Sequence, residues 1–86
     1  MSLLDYREAA YQESFEAVLS SLARRRQADP GFTIEDAKGT LNHLYVTEGN
    51  DWLGRGDLQD AKLAAQIAAH EIFIQDWEKE DAQKGE

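Results

Sequence analysis

The sequence predicts an all-α protein, an up-down-up three-helix bundle with long first and third helices and a short second helix. Three observations lead there. Apolar residues recur three and four positions apart along three separate stretches, which is the spacing of one face of an α-helix. The only proline, Pro30, and Gly31 punctuate the chain between the first and second stretches. Three of the six glycines fall in "EGNDWLGRGD", residues 48–57, between the second and third.

The first helix is predicted over residues 3–28. Ser2 followed by Asp5 resembles a capping box, with Asp in place of the usual Glu. Leu4, Tyr11, Phe15, Val18 and Leu22 follow helical spacing, and Leu19 and Ala23 widen the stripe. Arg24, Arg25 and Arg26 stand in the last turn, where cations complement the helix dipole. The residue before Pro30 is pushed out of helical geometry, and Gly31 permits a turn.

The second helix is predicted over residues 34–48. Thr33 and Asp36 repeat the capping pattern, and Phe32 is placed to staple onto Ala37. Ile34, Ala37, Leu41, Leu44 and Tyr45 form one face of it through to Glu48. Gly39 inside it costs about 1 kcal/mol relative to alanine, which suggests a close-packed neighbour. Gly49 is the expected residue just past its end.

The third helix is predicted over residues 58–82, with Asp57 as N-cap and a frayed tail at 83–86. Its alanine-rich centre favours helix strongly. Leu58, Ala61, Ala65, Ala68 and Ile72 mark a small face. Leu63, Ile67, His70, Ile74 and Trp77 mark a bulky face beside it.

Eighty-six residues make a single domain, 1–86, with a thin core. There is no cysteine, so disulfides and thiolate metal sites are excluded, and packing or self-association must supply stability. Seventeen acids against nine Lys and Arg give a formal net charge of −8. That balance disfavours nucleic acid and anionic membrane surfaces as partners. No apolar run approaches a membrane span, and the N-terminal stretch turns acidic too early for a signal peptide, so a cytoplasmic location is expected.

Helix lengths carry the functional expectation. At 1.5 Å per residue the outer helices span roughly 39 Å and the middle one roughly 22 Å. If the middle helix covers the later half of the first and the earlier half of the third, two apolar ends overhang. Leu3, Leu4, Tyr6 and Tyr11 would form one, and Phe73, Ile74 and Trp77 the other. Soluble monomers avoid large apolar patches, so a homodimer that covers these ends is expected. The alternative is that the 49–57 loop folds down over the first patch.

No chemical motif survives inspection. Gly54 and Gly56 precede a helix start, as in phosphate cradles, but Asp57 and Asp60 would repel an anion there. Arg55 is then read as answering helix carbonyls or a nearby acid, and Trp52 with Leu53 as plugging the bundle end. Gly49, Gly54, Arg55, Gly56 and Asp57 are read as a connector. Glu48, Asn50, Asp51, Asp57 and Asp60 lack the spacing of a calcium loop. His70–Glu71 lacks the second histidine of a zinc protease motif, since Ile74 stands at that place. His70 is read as a hydrogen-bonded core or interface residue. No catalytic, cofactor or metal-binding residue is assigned, and whether the protein is an enzyme stays open, with the absence of a motif weighing against it.

The function expected is a homodimeric protein–protein interaction or regulatory module whose acidic rim selects a basic protein partner. Tyr6, Tyr11, Trp52, Phe73 and Trp77 are the expected anchors, because buried aromatics dominate interface energetics. The alternative is an enzyme or small-ligand carrier with a site at the dimer seam, near His70 or the 48–60 acidic loop.

Overall fold

The computed structural model describes residues 3–50 and 57–84, all but a short turn being helix. Helix α1 runs Leu3–Ala28, α2 Ile34–Asn50 and α3 Asp57–Lys84. The all-α bundle read from the sequence is therefore the fold, and there is no strand among the described residues. Helices α1 and α2 each pack on α3.

Ion pairs and shared grooves give the directions. At one end Tyr6 of α1 lines a groove with Leu58 of α3, and at the other Arg26 pairs with Glu80, so α1 and α3 run the same way. Lys38 of α2 pairs with Glu78 at 3.3 Å, while Tyr45, farther along α2, donates to Glu71, earlier in α3. Helix α2 therefore runs opposite to both.

The reversal between α1 and α2 is made by local chemistry. The Asp29 amide donates to the Arg25 carbonyl at 2.9 Å, closing the last turn of α1. The Gly31 amide donates to Asp29 Oδ1 at 2.9 Å and the Phe32 amide to the Asp29 carbonyl at 3.1 Å. This is an Asx turn nested in a β-turn, with Pro30 at the position where its fixed φ fits. Helix α2 then opens with the predicted reciprocal cap. The Thr33 amide donates to Asp36 Oδ2 at 3.0 Å, and the Asp36 amide to Thr33 Oγ1 at 3.2 Å. Phe32 and Ala37, the two ends of the predicted staple, are both buried in one cluster.

That cluster is the core. Leu22, Phe32, Ala37, Phe73 and Ile74 are buried together, with Val18, Leu19, Ile34, Leu41 and Trp77 packed against them. Phe32 supplies its centre, with ring centroids 6.4 Å from Phe73 and 5.7 Å from Trp77, while Phe73 meets Trp77 edge-on at 5.5 Å. The guanidinium of Arg25 stands 4.3 Å above the Phe32 ring, and that of Arg26 stands 4.1 Å above Trp77. Two of the three consecutive arginines thus close the core against water through cation–π contact as well as complementing the dipole.

Helix α3 is buried along two stripes because it has two neighbours. Ala61, Ala65, Ala69 and Phe73 follow an i, i+4 row, small at the start and bulky at the end. Leu63, Ile67, His70 and Ile74 form the second stripe. The predicted small face included Ala68 and Ile72. Instead Ala69 is buried and Ile72 is exposed, since an i, i+4 row winds slowly round the helix and carries the contact away from them.

Three further expectations are corrected. The residues Phe73, Ile74 and Trp77 do not overhang. Helix α2 starts where α1 and α3 both finish, so it covers α3 from Glu78 back past Glu71, and only its end, at Glu48, reaches the hollow beside Asp60, Ala61 and Ala64. Phe73 and Ile74 are buried as a result. Gly39 has no close-packed neighbour, since a Cβ added there meets no atom within 4 Å. Gly49 lies inside α2, which continues to Asn50.

Candidate functional site

The end of the bundle remote from the Phe32 core is the end where α2 finishes, with Glu48 beside the hollow that Tyr11 and Asp60 line. Here the first half of α1 lies on the start of α3. On α3, Ala61 and Ala65 are buried, whereas Ala9, Ala10 and Ala17 of α1 line an open hollow beside it. Tyr11 stacks parallel on Phe15 of its own helix at 6.3 Å. Tyr6 keeps 59% of its surface exposed and Tyr11 36%. Both tyrosines carry a large apolar body with a polar tip, the combination enriched where proteins meet.

Two hollows flank these tyrosines. The first, about 390 Å³, is lined by Tyr6, Ala9, Ala10, Glu13, Ser14, Ala17, Leu58 and Lys62. Its polar edge holds one acid and one base. The second is wider and shallower, about 670 Å³, and is lined by Arg7, Glu8, Tyr11, Glu48, Asp60, Ala61 and Ala64. It gathers three acids and one base, with Glu48 arriving from the end of α2. Leu58 and Lys62 sit four residues apart on one flank of α3, and Asp60 and Ala64 on another, so the hollows open in different directions.

The structure sorts the residues singled out from sequence. Tyr6 and Tyr11 share the open end. Phe73, at 7% exposure, has almost no surface left to offer another molecule, and Trp77 is half-buried against Phe32. These two anchor the core of their own chain. Asp57 is the first residue of α3. Trp52, Gly54, Arg55 and Gly56 lie outside the described residues, as does the connector reading built on them and the idea that the loop covers the first patch.

His70 is buried, with Nδ1 2.8 Å from the Gln66 carbonyl. A carbonyl only accepts, so Nδ1 carries the proton and the hydrogen bond stays within α3. Glu48 and Asp60, both members of the acidic cluster considered above, line the same hollow. No group of three or more acidic or histidine side chains is placed to hold a metal ion among the described residues. No helix, among the described residues, is long and apolar enough to cross a membrane.

The groove residues Ala9, Ala10, Glu13, Ala17 and Lys62 escaped the sequence reading, which places Leu58 on the small face of α3 and gives it no part in a site. A signal was present: positions 6, 9, 10, 13 and 17 share one side of α1, opposite Phe15 and Leu22, and all but one of them are apolar or small. Comparison with protein-family models, curated proteins and solved structures finds no match for this chain.

Proposed function

We propose that this protein is a homodimeric protein-interaction module and that the open end of the bundle is its binding surface. The observation that carries the reading is the pair Tyr6 and Tyr11, left exposed at the end of the bundle where α2 finishes. Exposed aromatics grouped beside alanine-lined hollows are the raw material of interface anchors. The acids Glu8, Glu48 and Asp60 at the rim of the wider hollow favour a partner presenting lysine or arginine.

Size-exclusion chromatography with light scattering tests self-association directly. The expected mass is near twice the 9.7 kDa of one chain, shifting toward one chain when Tyr6 and Tyr11 are both replaced by alanine. A mass of one chain across the micromolar to millimolar range removes the dimer. For the basic partner, proteins retained by the immobilised chain should be released as salt rises past physiological strength, and Glu8→Lys should reduce their capture. Capture insensitive to both salt and Glu8→Lys removes the acidic-rim reading.

A further inference from the structure

We propose that the smaller hollow is the seat of the second copy, in a two-fold arrangement where Glu13 of each chain meets Lys62 of the other. This rests on the self-association proposed above and assigns it a surface and a pairing.

Charge selects the occupant. Each chain carries −8, so most ways of bringing two copies together set acid against acid. The smaller hollow is an exception: its charged lining is one carboxylate, Glu13, and one ammonium, Lys62. A two-fold interface places the same patch on both sides, so every contact between positions i and j occurs twice, once in each sense. A patch with one charge of each sign is then complementary to itself. Neither Glu13 nor Lys62 belongs to an ion pair within its own chain among the described residues, while Arg26 and Lys38 do. The wider hollow, with three acids to one base, would face like charge across any two-fold axis and suits a different molecule.

Shape agrees with charge. Ala9, Ala10, Ser14 and Ala17 present short side chains along about two turns of α1. A facing helix can approach such a surface at about 8 Å between axes, the close end of the usual range. The natural candidate is α1 of the second copy running antiparallel, because a two-fold axis perpendicular to a helix generates that neighbour. Tyr6 and Leu58 then bracket the seat with apolar surface contributed twice.

A charge-reversal experiment on the full chain tests the pairing. Glu13→Lys alone sets a second cation against Lys62 twice per dimer, and Lys62→Glu alone sets a second carboxylate against Glu13 twice. Each single variant should weaken its own dimer by roughly tenfold, the sum of two exposed charge pairs changing sign. Mixing the two variants restores both attractive pairs in a heterodimer, which native mass spectrometry or a tag on one chain detects. Rescue on mixing also answers for folding, since an unfolded variant cannot restore a dimer. A wild-type dimer whose single variants associate as tightly as before, or weaken with no rescue on mixing, overturns this seat while leaving self-association standing. A wild-type chain that stays monomeric overturns both.

Discussion

Replacing Gly39 with alanine should stabilise this protein. Gly39 is the sixth of seventeen residues in α2, far enough from both ends for full helix propensity to apply. In a helix interior glycine is about 0.8–1.0 kcal/mol less favourable than alanine, because its backbone loses more freedom on folding. The added Cβ meets no atom within 4 Å, so no steric term opposes the gain. The position is exposed and turned away from the core, so the methyl buries little and adds little of its own. The expected change is therefore about 0.8–1.0 kcal/mol, which for a domain of this size raises Tm by roughly 4–8 °C. Urea unfolding followed by circular dichroism should show the midpoint rising with an unchanged slope, since the surface exposed on unfolding is nearly the same. A Tm that stays put or falls would refute the reasoning. It would mean that the outer face of α2 is closely covered in solution, at a site this chain by itself leaves open.

The remaining predictions concern the turn end of the bundle and one phenol. Thr33→Ala removes the acceptor for the Asp36 amide and should cost about 1 kcal/mol; Asp36→Ala breaks the other half of the box, and a double-mutant cycle by chemical denaturation should show the two losses coupled rather than additive. Phe32→Ala empties the centre of the aromatic cluster and should cost about 3–5 kcal/mol, enough in so small a domain to abolish the cooperative thermal transition; Phe32→Leu should keep it at a lower Tm. The Tyr45 hydroxyl donates to the Glu71 carboxylate, which raises its pKa above the ordinary phenol value of about 10. Because the folded pKa is the higher one, this contact contributes stability that is complete below pH about 10 and is lost as pH rises through the folded value. Ultraviolet titration should find the Tyr45 phenol ionising late, and Glu71→Gln should bring it back toward the ordinary phenol value.

Much of the fold was legible because the signals were local. The Thr33–Asp36 box, the Phe32–Ala37 staple and the Asp29–Pro30–Gly31 turn are each set by residues within about a turn of one another, and each is present in the structure, as are the three helices, though Tyr45 and Ile72 of the predicted faces are exposed. What misled was non-local. Whether α2 covers the early or late half of α3 depends on where α1 finishes along α3 before the tight turn at 29–33. That places the start of α2 beside the finish of α3 and draws Phe73 and Trp77 inside. Gly39 misled for a related reason: a glycine needed for close approach and a glycine facing water look the same in a list of residues. The alanine groove on α1 went unseen because the eye is drawn to bulky apolar residues, whereas a seat for another helix is made by their absence.

The uneven distribution of the core gives this molecule two ends with different work. Its Cα radius of gyration is 14.8 Å, against about 12 Å for a compact chain of this length, and its extents are 48 × 28 × 22 Å. No large side chain among the described residues is completely enclosed. The aromatic burial gathers at the turn end, where Phe32 and Phe73 meet Ile74 and Leu22 under the caps of Arg25 and Arg26. Toward the far end the buried residues of α3 are Leu63 and Ile67 with Ala61 and Ala65, and the alanines bury little area per residue. A rod this thin is poorly stabilised where only two helices run side by side, and a third neighbour there would bury the surface that α2 does not reach. The same shortness of α2 that weakens this end leaves Tyr6 and Tyr11 uncovered, so the surface free for binding is also the surface whose covering would most stabilise the fold.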